Sequence, residues 1–136
     1  MKKLILLFTL ILLSSCSEDY YENTEENHQY SSYINPPIWI QGRWKDDKDR
    51  MITFTDDDLL YSYPLLSYQS VSTEIFDYES YYYDEYRNPN VQEVELLDYY
   101  SIRYNAVNTT KKFSFIKLSE TEIKSTGLMP GIYIRQ

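Results

Sequence analysis

The sequence predicts an all-β domain, an antiparallel sandwich or barrel, that follows an extended N-terminal segment. From residue 38 onward, short apolar-rich runs alternate with polar turns, a spacing that favours antiparallel strands over strand–helix–strand units. Sixteen tyrosines, five phenylalanines and two tryptophans supply side chains that favour strands and can fill a core. Because the chain has one cysteine, no internal disulfide can form and a hydrophobic core must stabilise the fold.

The N-terminus has the pattern of an export signal. Two lysines precede an apolar run over residues 4–13, and Ser15 stands directly before Cys16. This order of positive charge, apolar run and small residues indicates a secretory signal peptide over residues 1–15. The run is shorter than the ~20 apolar residues that a membrane-spanning helix needs.

Residues 13–16, Leu-Ser-Ser-Cys, resemble the lipobox of bacterial lipoproteins. The resemblance implies that the signal is cleaved between Ser15 and Cys16 and that Cys16 carries fatty acyl chains such as palmitate. Each methylene buried in the bilayer contributes roughly 0.8 kcal/mol, so these chains alone would anchor the protein firmly. The alternative for a single cysteine is a buried, inert thiol.

Residues 16–36 are predicted to form the lipidated cysteine and an acidic, flexible tether, because they show no apolar periodicity. The Ser-Glu-Asp run at residues 17–19 resembles the signal that exports lipoproteins of Bacteroidota to the outer face of the outer membrane. A solubilising spacer is the alternative. Pro36 and Pro37 stop regular structure and mark the domain boundary. The expected location is the outer membrane, with exposure on the cell surface.

The charge balance restricts the expected partners. After residues 1–15 are removed, 11 Lys and Arg stand against 21 Asp and Glu, a formal net charge of −10. Such a surface repels the phosphates of nucleic acids, and no basic patch is visible along the sequence. The same charge opposes contact of the domain with anionic lipids, so the acyl chains should provide the membrane anchor. A small apolar ligand or an envelope protein is the other expected partner.

The predicted strands are short apolar-rich runs bounded by charged or polar turns. They cover residues 38–44, 51–55, 59–63, 101–106, 112–118 and 132–134, with a short strand around Ile123. Residues 72–86 are ambiguous, because Tyr78, Tyr82 and Tyr86 are spaced for one helical face although the stretch also fits strand alternation. A strand followed by a tyrosine-rich loop is the preferred interpretation.

In order and spacing, these pieces resemble the lipocalin-like lipoproteins of Gram-negative bacteria over about residues 38–136. Gly42-Arg43-Trp44 matches the Gly-x-Trp of the family's first strand, and the last strand ends at Arg135. The resemblance implies a small antiparallel up-and-down barrel over residues 37–136. It also implies that Gly42 and Trp44 form the barrel floor and that Arg135 packs over the tryptophan through a cation–π contact.

The resemblance also sets the expected function. A barrel of about eight strands encloses at most one small ligand, whereas a tighter barrel is filled by its own side chains. We expect a binding protein for a small apolar or amphipathic ligand, held inside the barrel or at its rim. A surface protein–protein interaction module or inhibitor with a filled barrel is the alternative.

Tyrosines are the candidate binding residues. Core packing and pairing on the sheet account for most of the sixteen. Where tyrosines are adjacent, strand geometry must point some of them outward, and an exposed ring with a polar tip suits a sugar, a lipid or a protein partner. The candidate binding aromatics are Tyr81, Tyr82, Tyr83, Tyr86, Tyr99 and Tyr100.

Catalytic and metal-binding chemistry is not indicated. His28, the only histidine, falls in the tether, so a Ser-His-Asp or Cys-His arrangement would lack its base on the folded domain. The acidic clusters at residues 46–49 and 56–58 lack the ligand spacing of a calcium loop and are predicted to be solvated turns. We expect a protein that is not an enzyme and that has no catalytic residue, no cofactor and no metal.

Overall fold

The computed structural model describes residues 32–82 and 90–136 and shows nine antiparallel strands in one sheet. The strands are β1 (Gly42–Asp46), β2 (Met51–Phe54), β3 (Leu59–Ser62), β4 (Gln69–Ser70), β5 (Gln92–Glu95), β6 (Tyr99–Ala106), β7 (Thr109–Lys117), β8 (Glu122–Ser125) and β9 (Gly131–Arg135). In the part of the chain that is described, one helix, α1 (Val71–Tyr81), follows β4. The predicted all-β class is confirmed.

The sheet has an up-and-down order, β4-β3-β2-β1-β9-β8-β7-β6-β5. The first and last strands pair, with Trp44 opposite Arg135, so the two halves of the chain form one surface that curls into a half-barrel. The edge strands are β4 and β5. Helix α1 packs against β3 and β4 on one side of the opening and against β6 on the other, and therefore covers it.

Side-chain alternation directs one face of the sheet into a shared core. On β6, Tyr100, Ile102 and Tyr104 are fully buried, whereas Arg103 between them is exposed. Successive side chains of a strand point to opposite faces, so this pattern separates an inner face from an outer face. The same separation on the neighbouring strands gives the domain its core.

Aromatic rings from strands that are not neighbours meet inside the half-barrel. The ring centroid of Phe54 on β2 lies 5.0 Å from that of Phe115 on β7. Tyr61 on β3 and Phe113 on β7 make a similar edge-to-face contact at 5.1 Å. Because these rings come from opposite walls, their contact fills the space between the walls.

The packed domain begins before the predicted boundary. Ile34 is fully buried in the core, although the sequence predicts a solvated tether up to residue 36. The backbone N–H of Asn35 donates a hydrogen bond to the Glu93 carboxylate on β5 at 2.9 Å. Apolar burial and this hydrogen bond therefore hold residues 34 and 35 against the domain.

The first strand starts later than predicted. Residues 38–40 form a turn, in which the N–H of Ile40 donates to the carbonyl oxygen of Pro37 at 3.0 Å. β1 then begins at Gly42 and continues to Asp46, which the sequence places in a turn. The strand is therefore displaced by a few residues relative to its prediction, and Trp44 keeps its inward position.

Residues 71–81 form a helix, so the preferred strand prediction for this stretch is wrong and its helical alternative is right. Ser70 is the N-cap, and its hydroxyl accepts a hydrogen bond from the N–H of Thr73 at 3.0 Å. Val71 and Ile75 are buried on one face, four residues apart, which is the helical spacing. Packing of that face over the sheet opening selects the helix.

Several predictions fall on residues that the structure does not describe. The signal peptide with Ser15, the lipidation site Cys16 and the tether up to residue 31 lie outside the described residues, as do Tyr83 and Tyr86. Within the described ranges, no helix has both the length and the apolar character to cross a membrane.

Candidate functional site

A stacked pair of side chains lies at one end of the half-barrel. The guanidinium carbon of Arg135 is 4.2 Å from the centroid of the Trp44 ring, and Trp44 is fully buried. The same guanidinium donates to the carbonyl oxygens of Gln41 at 2.6 Å and Trp39 at 2.8 Å. Arg135 therefore joins the last strand to the turn before the first, and the cation–π contact that the resemblance implies is present.

Gly42 is required beside this pair for two reasons. Its φ is +118°, a value that residues with a side chain rarely adopt. A Cβ atom at this position would lie 3.0 Å from Nη1 of Arg135 and would press on the stacked guanidinium. The Gly-x-Trp pattern thus reflects a structural need, because the glycine leaves room for the arginine that covers Trp44.

A polar cluster fastens α1 over the opening between the edge strands. The Glu74 carboxylate accepts hydrogen bonds from Tyr61 on β3 at 2.6 Å and from Tyr104 on β6 at 2.5 Å. The Lys111 ammonium on β7 donates to the same carboxylate and to the Tyr61 hydroxyl, both at 2.8 Å. These four residues, the Glu74 cluster, join the helix to three strands.

The tyrosines of the Glu74 cluster stay protonated. Burial raises the pKa of Tyr61 and of Tyr104 above the usual tyrosine value, and the hydrogen bonds to the Glu74 carboxylate raise both further. The two hydroxyls therefore act as donors at neutral pH. Since each of the four side chains has a partner, the role of the cluster is structural, and it holds α1 against the sheet.

The acidic turns also serve the fold. Asp58 accepts hydrogen bonds from the Ser72 N–H at 3.0 Å and the Ser70 hydroxyl at 2.6 Å, and so holds the start of α1. Asp46 is buried and accepts from Nε of Arg50 at 2.6 Å. Among the residues that the structure describes, no group of three or more His, Cys, Asp or Glu side chains is placed to hold a metal ion.

A cleft opens at the rim, at the end of the barrel remote from Trp44 and Arg135. Its volume is about 260 Å³, and it lies between the end of α1 and the hairpin that joins β6 to β7. The rings of Tyr78 and Tyr82 form one side, with their centroids 4.8 Å apart. The other lining residues of this rim cleft are Asn105, Ala106, Asn108, Thr109 and Thr110.

The rim cleft combines aromatic faces with side-chain amides and hydroxyls. Tyrosine rings offer flat apolar surface, and Asn and Thr side chains both donate and accept hydrogen bonds. Asn108 has a φ of +72° in the two-residue hairpin loop, a conformation that suits asparagine and fixes the turn. The lining suits a small ligand with an apolar face and several hydroxyl or amide groups.

Two of the candidate aromatics lie at or beside the rim cleft. Tyr82 lines it, and Tyr81 is 70% exposed with its ring centroid 4.9 Å from that of Tyr82. The cleft also uses Tyr78, which the sequence places on the same helical face as Tyr82. Tyr83 and Tyr86 follow directly but fall outside the described residues, so their predicted role stays a prediction.

Tyr99 and Tyr100, the adjacent candidates on β6, do not line the rim cleft. Tyr99 is half-buried on the outer face, with its hydroxyl 3.4 Å from Oγ of Ser114. Tyr100 is fully buried and donates to the Glu93 carboxylate at 2.5 Å, so it is a core residue and not part of a binding surface. Strand alternation explains the difference, because the two side chains point to opposite faces.

The sequence pattern does not single out Glu74, Lys111, Asn105 or Asn108. One signal was available for Lys111, which alternates with Phe113 and so falls on the inward face of its strand, where an ammonium group needs a partner. Asn105 and Asn108 approach the tyrosines of α1 only in three dimensions. No local motif could have connected them.

Comparison with known proteins adds no relative to this description. No protein-family model, curated protein sequence or solved structure matches the chain. The rim cleft is the candidate functional site because of its lining and its accessible position, at the border between the helix and the sheet.

Proposed function

We propose that this chain is a lipid-anchored lipoprotein of the outer membrane whose lipocalin-like domain binds a small amphipathic ligand at its rim. The lining of the rim cleft carries the proposal, because Tyr78 and Tyr82 stand beside amide and hydroxyl groups. The packing of the interior also supports a ligand site at the rim. Rings from β2, β3 and β7 already occupy the space between the walls, where an internal ligand would have to fit.

The lining favours a saccharide over a fully apolar ligand. A sugar ring has a C–H face that stacks on aromatic rings, and its hydroxyls match the side chains of Asn105, Asn108 and Thr110. A fatty acid would use the tyrosines but not these polar groups. The volume of about 260 Å³ lies just below the usual range for small-molecule sites, which limits the ligand to a small molecule.

A binding test separates the rim from the interior. The mature chain with Cys16→Ser, which lacks the anchor, is screened by saturation-transfer NMR against soluble saccharides, fatty acids and haem. We expect a saccharide to bind and Tyr82→Ala to weaken it about tenfold, equivalent to ~1.4 kcal/mol. Tyr68→Ala, which removes a half-exposed tyrosine from the β3–β4 loop, is the matched control and should leave the affinity unchanged.

One result would contradict the rim site. Native mass spectrometry of the same protein would then show a retained fatty acid or haem, and the affinity for it would not change in Tyr82→Ala. Such a ligand would have to lie among the rings of the interior, and its binding should instead be sensitive to Phe115→Leu.

The proposed membrane anchor has a test of its own. Globomycin, which blocks the lipoprotein signal peptidase, should leave an unprocessed precursor in cells. Cys16→Ala should move the protein from the detergent phase to the aqueous phase, because the acyl chains are lost. If processing and partitioning are unchanged in both experiments, the anchor is refuted without any effect on the rim cleft.

Protein–protein interaction is a second candidate function, favoured by the loop between β3 and β4. Leu65 in this loop is fully exposed and has a φ of +64°, which is uncommon for leucine. Leu66 and Tyr68 beside it are more than half exposed. Apolar side chains gathered on a strained loop are typical of contact with a partner.

Cross-linking in intact cells tests this second function. The wild-type chain should be captured with one specific envelope protein, and the double substitution Leu65→Ser and Leu66→Ser should abolish that capture. Phe76→Ser, a half-exposed apolar position on α1, serves as the control. Equal recovery of the partner with the double variant would argue against a role for the loop.

A further inference from the structure

The outer face of the sheet has a charge opposite in sign to that of the whole chain. On β1, Arg43 and Lys45 flank the buried Trp44 and so point outward. The charged residues at outward strand positions are five cations and one carboxylate, namely Arg43, Lys45, Arg103, Lys112, Lys124 and Glu122. The other described carboxylates lie in turns, on α1 or at inward strand positions, and one of them, Asp49 in the β1–β2 turn, pairs with Lys45 at 2.7 Å. Four cations and one carboxylate at outward positions remain without this compensation. We name this surface the cationic outer face.

Isoleucines form the centre of the cationic outer face. Ile132 and Ile134 on β9 are 42% and 46% exposed. Lys124 on β8 stands opposite Ile132, and Lys45 on β1 stands opposite Ile134. Glu122 is also opposite Ile134, and it is the one acidic group at an outward position of the described strands. The register therefore gives each isoleucine one cation directly opposite it, Lys124 for Ile132 and Lys45 for Ile134.

A cleft of about 430 Å³ adjoins the isoleucines. Its lining residues are Asp47, Lys48, Arg50, Pro130, Gly131, Ile132 and Ile134. Arg50 is paired with the buried Asp46 at 2.5 Å, whereas Lys48 is exposed. The cleft thus has an apolar wall of isoleucines beside the Lys48 ammonium, with the Asp47 carboxylate also at its border. An apolar wall next to an ammonium group fits the junction of an anionic headgroup with its acyl chains.

Two cations on the same face stand directly opposite each other. Arg103 on β6 pairs in register with Lys112 on β7, and both are exposed. Like charges at opposed positions destabilise a sheet. Among the described residues, no carboxylate forms an ion pair with either side chain. An external anion would relieve this repulsion.

We propose that the cationic outer face binds the anionic surface of a phospholipid bilayer, with Ile132 and Ile134 at the boundary between headgroups and acyl chains. Lysines can extend their ammonium groups to phosphates while their methylene stems remain beside the isoleucines. Binding of this kind combines buried apolar area with attraction to anionic headgroups. A soluble acidic polymer would use the cations but not the isoleucines, and lipid is therefore the occupant.

The net charge of −10 that remains without residues 1–15 does not prevent this contact. Packed layers of a β domain lie ~10 Å apart. The carboxylates of α1, such as Asp77 and Glu79, lie across the core from the outer face, because α1 covers the opening of the half-barrel. At physiological ionic strength the Debye length is ~8 Å, so their repulsion is largely screened while the cations touch the membrane. For contact with a membrane, the position of the cations on the outer face therefore matters more than the net charge of the chain.

Vesicle binding tests the proposal without the lipid anchor. The mature chain with Cys16→Ser is sedimented with vesicles of phosphatidylcholine and phosphatidylglycerol at a ratio of three to one, and with vesicles of phosphatidylcholine alone. We expect binding to the anionic vesicles only, weakened by salt. Lys112→Gln with Lys124→Gln should lower the partition coefficient about tenfold. Because Cys16 is absent, failure here leaves the acylation proposal intact.

Matched variants separate the local surface from the net charge. Thr73→Glu with Ser80→Glu on α1 lowers the net charge by the same two units and should leave vesicle binding unchanged within about twofold. Ile132→Ser with Ile134→Ser keeps the charge and should also weaken binding, because the apolar contribution is lost. Both pairs of positions are exposed, and circular dichroism verifies the fold of each variant.

Three results would overturn the proposal. Equal binding to neutral vesicles would mean that the cations are not used. An equal loss of binding in the lysine variant and the helix variant would mean that net charge alone decides. Binding to heparin with no binding to anionic vesicles would identify an acidic polymer as the occupant instead of a bilayer.

Discussion

The ammonium group of Lys111 on β7 lies 2.8 Å from the carboxylate of Glu74 on α1, so one ion pair joins the helix to the sheet across the opening between the edge strands. The two side chains are 23% and 18% exposed, which means that both are largely removed from water. A carboxylate in this position compensates one ammonium and accepts two tyrosine hydroxyls. Glu74 therefore links the helix to three strands, in addition to the contacts of Asp58 with the start of the helix.

Removing the charge of Glu74 should loosen the helix before it unfolds the sheet. Glu74→Gln leaves the Lys111 ammonium without its anion, and we expect a loss of ~2–3 kcal/mol in the free energy of unfolding. Urea denaturation measures this loss, and hydrogen exchange of the amides in α1 should accelerate more than exchange in β6 and β7. Asp77→Asn, an exposed acid on the same helix, should change stability by less than ~0.5 kcal/mol.

A second variant distinguishes charge from packing at this site. Glu74→Gln combined with Lys111→Met removes both members of the ion pair and should recover at least half of the lost stability, because no unpaired charge remains. If the double variant is as unstable as the sum of the two single variants, the ion pair does not hold the helix.

Arg135 should be sensitive even to replacement by lysine. Its guanidinium stacks on Trp44 and donates to the carbonyl oxygens of Gln41 and Trp39, a planar geometry that an ammonium group does not reproduce. We expect Arg135→Lys to reduce the free energy of unfolding by ~1–3 kcal/mol. Arg43→Lys, on the exposed side of β1, is the matched control and should have little effect. Equal stability of the two variants in urea would show that the stack is dispensable.

The strands were predictable because their signal is local. Residues 101–106 alternate between polar and apolar side chains, and the structure places this stretch in β6. Gly42, Trp44 and Arg135 lie at opposite ends of the domain's sequence, and only the family resemblance could bring them together before a structure was known. The first kind of inference depends on periodicity, and the second depends on a shared pattern.

The helix and the edge strand β5 were harder to predict for physical reasons. Only Val71 and Ile75 of α1 are buried, so its apolar periodicity is short, and the run of tyrosines that follows fits either structure. All four residues of β5 are exposed, and its Gln-Glu-Val-Glu sequence has no apolar face to indicate a strand. Tertiary contacts determine both elements. α1 covers an opening of the sheet and β5 pairs with β6, and both partners exist only once the sheet has folded.

The two proposed binding surfaces could not be predicted from the sequence for a related reason. Arg103 and Lys112 are nine residues apart in the sequence, yet the β6–β7 register places them side by side. The net charge is a sum over the whole chain, so it gives no information on which face of the fold carries the acidic groups. The rim cleft likewise needs the end of α1 to approach the turn at Asn108. Such surfaces follow from topology, which the sequence pattern alone leaves open.

Ionisation of four buried tyrosines should destabilise the domain at strongly alkaline pH. Burial raises the pKa of Tyr61, Tyr100, Tyr104 and Tyr133 above the usual value, and hydrogen bonds to Glu74 or Glu93 add to the effect at three of them. In the unfolded chain a tyrosine ionises near pH ~10. Their stabilising contribution is therefore complete below that pH and is lost as the pH rises above it.

Absorbance of tyrosinate at 295 nm, recorded together with circular dichroism, measures this alkaline transition. The four buried tyrosines should ionise only as the sheet unfolds. Tyr104→Phe should weaken the pH dependence above pH ~10 because one raised pKa is removed, whereas Tyr68→Phe in the β3–β4 loop should not. Ionisation of all tyrosines with the circular dichroism of the folded sheet intact would contradict the argument.

Acid should destabilise the domain through the buried ion pair of Asp46. Burial alone would raise the pKa of Asp46, but the Arg50 guanidinium and the N–H groups of Arg50 and Lys48 outweigh burial and lower it. The unfolded chain has the usual value of ~3.9, so this carboxylate contributes stability above that pH and loses it as the pH falls toward the folded pKa.

Asp46→Asn should make stability less dependent on acid. At pH 7 the variant should lose ~2–4 kcal/mol, because Arg50 keeps its charge in a nearly buried position without a counterion. Between pH ~5 and pH ~2, its free energy of unfolding should fall less steeply than that of the wild type, since one proton-linked group is missing. Asp47→Asn, at the exposed neighbouring position, should follow the wild-type curve. Urea titrations at several pH values in this range measure the free energy of unfolding. If it falls equally steeply with pH in the wild type and in Asp46→Asn, Asp46 is not the acid-sensitive group.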